Sequence, residues 1–105
     1  METVYTFKTR RFTLELAAEP ETDNTFDWFG AEEYIPRIER GELVYFVARV
    51  RVLLDGRELA SDYLGGCCAE STGSFRQDPY FYDMVRSAIK DARAAIRNTP
   101  RLRAA

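Results

Sequence analysis

The most constraining feature of this sequence is a long alternating segment that ends in a turn dipeptide. Apolar residues recur at every second position from Val44 to Leu54, and Asp55-Gly56 follows directly. Alternation with period two indicates a strand with one buried face, and Asp-Gly favours a type I′ turn because both central residues need positive φ. The pattern therefore predicts a β-hairpin. Counting back from the turn places Arg49 opposite Asp62, as a cross-strand ion pair.

A second hairpin is predicted near the N-terminus. Its inward-facing positions are Tyr5, Phe7, Phe12, Leu14 and Leu16. A two-residue loop at Thr9-Arg10 would place Phe7 opposite Phe12, so that both strands bury the same side. Thr-Arg is poor turn chemistry, which leaves a longer loop open.

A short helix is predicted between the two hairpins, near Ala31 to Arg40. Gly41 would end it, because glycine readily adopts the left-handed conformation that closes a helix. Pro36 is a complication, since it removes a backbone hydrogen bond unless the helix begins close to Ile35.

A long helix is predicted at the C-terminal end. Asp78 is a suitable N-cap, Pro79 suits the first helical position, and the amphipathic pattern runs to about Arg97. Before this helix, Gly65-Gly66 is expected to end the fourth strand and to allow positive φ or close backbone approach.

The elements follow the order strand, strand, helix, strand, strand, helix, which predicts a single α+β domain over residues 1–105. We expect an antiparallel four-stranded sheet, with the long C-terminal helix and the shorter helix packed on one face. The other face of the third strand is also apolar, at Leu43, Tyr45, Val47 and Leu53. That face could be covered by the loop before the short helix, or by another protein chain.

The composition disfavours catalysis. The chain has 15 basic and 17 acidic residues, a formal charge of -2, two cysteines and no histidine. Without histidine it lacks the usual general base at neutral pH and the commonest metal ligand. The charge gives no general attraction to nucleic acid or membranes. No secretory leader is recognised from Met1 to Arg11. We therefore expect a cytoplasmic, non-enzymatic protein without a metal or cofactor and without a membrane partner.

The cysteines Cys67 and Cys68 are adjacent, and neighbouring strand residues point to opposite faces. A disulfide between them would need unusual geometry, so we predict two reduced thiols, at least one of them in the core. A small-ligand-binding or thiol-dependent function of the Gly65–Cys68 segment remains an alternative.

An acidic and aromatic segment is the first candidate binding site. From Glu15 to Glu33 the chain contains acids but neither lysine nor arginine, and aromatic residues lie among them. Aromatic anchors surrounded by carboxylates are typical of a surface that binds a basic partner. The candidate residues are Asp27, Trp28, Phe29, Glu32 and Glu33. Equally, the aromatic residues could pack back over the sheet.

A basic stripe is the second candidate site. Four cations of the long helix share one face at i, i+4, i+7 and i+11: Arg86, Lys90, Arg93 and Arg97. Such a stripe could contact phosphate or nucleic acid. The solvated face of an amphipathic helix is the favoured interpretation, because no aromatic residue interleaves with the stripe and the rest of the chain is acidic. The separation of charge also leaves a homodimer open.

One segment resembles a known group of sequences. Asp62-Tyr63-Leu64-Gly65-Gly66-Cys67, followed by Phe75 and by Tyr80 to Met84, resembles small uncharacterised proteins of proteobacterial phages, plasmids and integrated elements. The resemblance implies an accessory protein of mobile DNA that binds a host protein complex. By analogy with other proteins of that origin, it implies an anti-CRISPR or other anti-defence inhibitor, with a CRISPR effector as one candidate partner.

Overall fold

The computed structural model describes residues 1–22 and 30–99. Its elements are β1 (Glu2–Lys8), β2 (Thr13–Pro20), α1 (Ala31–Glu39), β3 (Val44–Leu54), β4 (Arg57–Ala69), a 3₁₀-helix (Gly73–Gln77) and α2 (Pro79–Arg97). The strands form one antiparallel sheet in the order β1-β2-β3-β4. The predicted α+β class, with a four-stranded antiparallel sheet and a C-terminal helix, is confirmed. The 3₁₀-helix was not predicted.

The core lies between one face of the sheet and α2. Its buried strand residues include Leu14, Leu16, Phe46, Ala48, Val50 and Val52. Ala88 and Ala92 of α2 are fully buried, and their small side chains allow the helix to approach the sheet closely. Asp78 caps α2 as predicted, because its Oδ1 accepts a hydrogen bond of 2.8 Å from the backbone N–H of Tyr80.

The expectation that the shorter helix shares this packing is wrong. Only Ala31 of α1 is buried, and among the described residues the main core contains no α1 side chain. The helix starts at Ala31 and not near Ile35, so Pro36 lies inside it and removes one hydrogen bond. Gly41, with φ of 78°, follows the helix end as predicted.

The first hairpin has a longer loop than two residues. The backbone N–H of Thr9 donates to the carbonyl of Phe12 over 2.8 Å, and the N–H of Phe12 donates to Oγ1 of Thr9 over 3.1 Å. Phe7 therefore lies opposite Leu14, and the pairing of Phe7 with Phe12 is wrong. Because the difference is two positions, Phe7, Leu14 and Leu16 still face the core, whereas Tyr5 is 37% exposed and lies outside it.

The second hairpin has the predicted turn but a different register. Asp55 and Gly56 have φ of 50° and 80°, as a type I′ turn requires. Beyond the turn, Leu59 is an extra residue in β4, because Leu53 pairs with Glu58 and Val52 with Ala60.

This bulge shifts the remaining pairs by one residue. Arg49 lies opposite Tyr63, whereas Asp62 lies opposite Val50. The predicted ion pair between Arg49 and Asp62 is therefore wrong. Counting residues from the turn assumes that neither strand has an extra residue, and Leu59 is one.

The glycine pair forms a second bulge. β4 continues through Gly65-Gly66 as far as Ala69, so the expected strand end at these glycines is wrong. Phe46 pairs with Cys67 and Ala48 with Leu64, which leaves one extra residue in β4 between these pairs. Gly66 has φ of 67°, so the expected positive φ is confirmed.

Candidate functional site: a cleft at the glycine bulge

A cleft of about 530 Å³ lies where α1, the glycine bulge of β4, the 3₁₀-helix and the start of α2 meet. It is lined by Tyr34, Leu64, Gly65, Gly66, Cys67, Cys68, Phe75, Asp78 and Tyr80. Tyr34 directly follows Glu32 and Glu33 in α1. The structure therefore brings together two segments that the sequence analysis treated separately, the acidic start of α1 and the Gly65–Cys68 segment.

A carboxylate holds the glycine bulge in place. The backbone N–H of Gly66 donates a hydrogen bond of 3.1 Å to Oε2 of Glu21, which follows the end of β2. A Cβ atom at Gly65 would lie 3.1 Å from the same oxygen, which is tighter than ordinary contact. Glycine at this position therefore allows the carboxylate to approach. Sequence reasoning missed this role because Glu21 is one of many acids in its segment.

The cleft combines exposed aromatic rings with negative charge. Tyr80 is 62% exposed and Tyr34 is 36% exposed, while Phe75 is buried behind them. Asp78 is the one charged residue among the lining residues that the structure describes. Glu32 and Glu33 are exposed in the first turn of α1. The arrangement offers aromatic faces and carboxylates, and no described lysine or arginine lines it.

The two thiols of the cleft are poorly suited to nucleophilic chemistry. Both cysteines are free and Cys67 is buried, which confirms the prediction of reduced thiols with one in the core. The Cys67 thiol donates to the carbonyl of Leu64 over 3.3 Å. Burial raises the pKa of Cys67 to about 11 and raises the pKa of Cys68 as well. Because the thiolate is the nucleophile, a raised pKa leaves little reactive form at neutral pH.

The remaining predicted site residues fall into two groups. Asp27, Trp28 and Phe29 lie outside the described residues. The basic residues Arg86, Lys90, Arg93 and Arg97 are exposed and, with Ile89, line a groove of about 540 Å³ along α2. Asp83 forms an ion pair with Arg86, one turn apart on the helix.

An ion cluster on the sheet face opposite α2 was not predicted. Nε and Nη2 of Arg51 donate to the two oxygens of Glu15 over 2.9 and 3.0 Å, and Nη2 of Arg49 donates to Oε1 over 3.3 Å. The hydrogen bond from Arg51 lowers the pKa of Glu15 and raises that of Arg51. The register places Glu15 directly opposite Arg51. This cluster joins β2 to β3, a structural role that accounts for its perturbed pKa values.

Across residues 1–22 and 30–99, no cluster of three or more cysteine, aspartate or glutamate side chains is arranged so that it could hold a metal ion. Neither of the described helices has the length and apolar character needed to cross a membrane.

Comparisons with models of protein families, with curated proteins and with solved structures find no match to this chain. The contacts and charges of the cleft are therefore the starting point for a functional proposal.

Proposed function

We propose that this chain is a non-enzymatic binding protein whose cleft receives a cationic side chain of a partner protein. One observation carries the proposal: exposed Tyr34 and Tyr80 line a cleft in which Asp78 is the one charged lining residue described. Lysine and arginine are attracted to aromatic faces, by roughly 0.5–1 kcal/mol at exposed sites and about 2 kcal/mol when desolvated. A carboxylate beside the rings adds to that attraction.

The surroundings of the cleft support the same partner chemistry. Glu32 and Glu33 are exposed in the first turn of α1, the helix that carries Tyr34, and neither of them lines the cleft. They add negative charge to the helix end from which Tyr34 reaches it. Glu21 holds the bulge that forms its floor, which lowers the conformational cost of binding. In this proposal Asp27, Trp28 and Phe29 contribute further contacts from the segment that precedes α1.

The resemblance to proteins of mobile elements supports a finer proposal about the partner. We propose a host defence complex, such as a CRISPR effector, with this chain acting as its inhibitor. Such complexes expose lysine and arginine in their nucleic-acid-binding channels. A cleft that accepts those side chains would compete with the nucleic acid for the same surface.

The experiment compares charge reversal at the two ends of α1. Glu32→Lys with Glu33→Lys reverses two charges in the first turn of α1. Glu39→Lys with Glu42→Lys, at and just beyond the other end of the helix, is the matched control. The tagged variants are co-expressed with a CRISPR effector complex and purified. We expect the first pair, and Tyr80→Ala, to reduce co-purification at least tenfold, while the control pair binds like the original chain.

Two outcomes would contradict the proposal. One is equal binding by both double variants, because the partner would then not contact the cleft. The other is unchanged binding when the effector already carries its nucleic acid, which would contradict competition for a nucleic-acid channel. Circular dichroism confirms that each variant is folded.

The cleft volume supports a second candidate function, small-molecule binding. About 530 Å³ falls within the usual range for small-ligand sites, roughly 300–1,000 Å³. The raised pKa values disfavour the thiol-dependent form of this alternative. A ligand-library thermal-shift screen distinguishes the candidates: a hit abolished by Tyr80→Ala but unaffected by Cys68→Ala would favour a non-covalent ligand.

A further inference from the structure

A surface outside the cleft carries a second inference, independent of the proposed function. Arg86, Lys90, Arg93 and Arg97 are all exposed along one face of α2. At 1.5 Å per residue, their backbone positions extend over about 16 Å in a nearly straight line. Among the described residues, Lys90, Arg93 and Arg97 form no ion pair, and Arg86 pairs with Asp83. Three of the four cations therefore present positive charge that no described carboxylate pairs with.

The structure adds an aromatic residue to this stripe. Tyr82 lies four residues before Arg86, on the same helical face, and its side chain is 53% exposed. The lack of an aromatic residue between the cations argues against nucleic-acid contact. Tyr82 changes that conclusion, since an exposed ring at the end of a basic stripe can stack on a base.

A further cation and ring continue the surface beyond Tyr82. A cleft of about 340 Å³ is lined by Tyr5, Phe7, Arg76, Gln77, Phe81 and Tyr82. The Arg76 guanidinium lies 4.0 Å from the centre of the Tyr5 ring, and Tyr5 is 37% exposed. The basic stripe of α2 thus leads into a cleft that contains exposed aromatic rings and another cation.

We propose that this surface binds single-stranded nucleic acid. The phosphates follow the cations of α2, and an unpaired base stacks on Tyr82. Arg76, which lies over the Tyr5 ring, adds a further cation at the end of this path. Cations that follow the backbone, combined with rings that take successive bases, are the general mode of single-strand recognition. In a duplex the bases are already stacked and cannot use the rings. A second copy of the chain fits less well, because the cleft described above is concave and has Asp78 as its one charged lining residue among those described, whereas the stripe is a line of cations.

Fluorescence anisotropy with labelled oligothymidylate of about 15 nucleotides tests the proposal at several salt concentrations. Lys90→Ala with Arg93→Ala should make the dependence of log affinity on log salt shallower by about 1.4, since each lost phosphate contact contributes about 0.7. Tyr82→Ala should weaken binding about tenfold with little change in that dependence. Arg37→Ala with Arg57→Ala is the matched control and should bind like the original chain.

Three results would overturn the proposal. The first is no binding of the oligonucleotide at low salt. The second is equal affinity for duplex DNA with no effect of Tyr82→Ala, which would indicate a non-specific polyanion surface. The third is concentration-dependent dimerisation in analytical ultracentrifugation that Lys90→Ala with Arg93→Ala abolishes, which would assign the stripe to self-association. Tyr80→Ala should leave oligonucleotide binding unchanged, so the result is separable from the cleft function.

Discussion

The two faces of the sheet are stabilised in different ways, although the same strands provide both. Alternate residues of β3 face α2 and are at most 1% exposed: Phe46, Ala48, Val50 and Val52. Between them, Arg49 and Arg51 face the other side, where both bind Glu15. One face is held by apolar burial and close packing. The other is held by charged hydrogen bonds between neighbouring strands.

The difference lies in how strictly each face depends on register. An apolar face tolerates a shift of two residues, because one apolar side chain then replaces another. A charged pair does not, since a carboxylate must lie within hydrogen-bond distance of a particular guanidinium. We therefore expect large effects from volume changes on the α2 face, and smaller, pH-dependent effects from charge changes on the other face.

The largest expected effect comes from Phe75→Ala. Phe75 is 2% exposed and makes edge-to-face contacts with Phe46 and Phe81, at centroid distances of 5.6 and 6.2 Å. Removing the ring leaves a cavity between the 3₁₀-helix and the sheet, so the free energy of unfolding should fall by about 3–5 kcal/mol. Urea denaturation followed by circular dichroism measures this loss.

The matched control for this substitution is Tyr63→Ala on the other face. Tyr63 is 59% exposed, and its removal should change the free energy of unfolding by no more than about 0.5 kcal/mol. Similar losses for the two variants would contradict the assignment of the core to the α2 face.

A smaller effect is expected from Glu15→Gln on the charged face. The Glu15 side chain is 13% exposed and accepts hydrogen bonds from Arg49 and Arg51. Loss of the carboxylate charge leaves the two half-buried guanidinium groups weakly paired. The free energy of unfolding at neutral pH should therefore fall by about 1–2 kcal/mol, as measured by urea denaturation.

The same variant predicts a pH dependence. Arg51 lowers the pKa of Glu15, so the folded state favours the ionised form. This stabilisation is fully present above the ordinary glutamate pKa, about 4.3, and is lost as the pH falls through the lowered value. The original chain and Glu15→Gln should therefore differ most above about pH 5 and converge in stronger acid.

Glu42→Gln is the control for a solvent-exposed ion pair. Glu42 pairs with Arg40, and their side chains are 47% and 61% exposed. Exposed pairs contribute little, so this substitution should change stability by less than about 0.5 kcal/mol at any pH. If Glu42→Gln lowered the free energy of unfolding as much as Glu15→Gln, with the same pH dependence, ordinary surface charge would account for the effect of Glu15→Gln.

The sequence predicted the α2 face far better than the charged face. Period-two alternation and the cap at Asp78 were sufficient for the strands and the long helix. Alternation and helix capping are local signals. They remain valid when the pairing of two strands shifts by two residues, because the same side chains then still face the same side. The partner of Arg49 was wrongly predicted, because the bulge at Leu59 leaves no mark in a pattern of alternation.

The cleft could be predicted only in part. Glycines at 65 and 66 indicated an unusual backbone, and Gly66 does adopt positive φ. The role of Glu21 depends on a hydrogen bond across 45 positions of the chain. Phe75 is buried, although it belongs to none of the strands or helices that the sequence predicts. Both features require knowledge of which distant segments meet, and a single sequence does not contain that information.

The last comparison of the two faces concerns thiol reactivity, because the adjacent residues Cys67 and Cys68 point to opposite faces of β4. Cys67 is 5% exposed and pairs with Phe46, whereas Cys68 is half-buried and pairs with Tyr45. With a pKa of about 11, Cys67 is almost entirely protonated at pH 8. Labelling by a disulfide reagent should therefore be at least about a hundredfold slower at Cys67 than in free cysteine, whose pKa is about 8.5.

Single-thiol variants separate the two sites. The Cys67→Ala variant retains only Cys68, and the Cys68→Ala variant retains only Cys67. The first variant should be labelled faster, because Cys68 is less buried than Cys67. Between pH 8 and 10 the labelling rate of Cys67 should rise about tenfold per pH unit, as its thiolate fraction increases. Equal rates at the two positions would contradict the alternation of faces at this end of β4. A rate for Cys67 that levels off near neutral pH would instead indicate an activated thiol, and would restore the thiol-dependent alternative for the cleft.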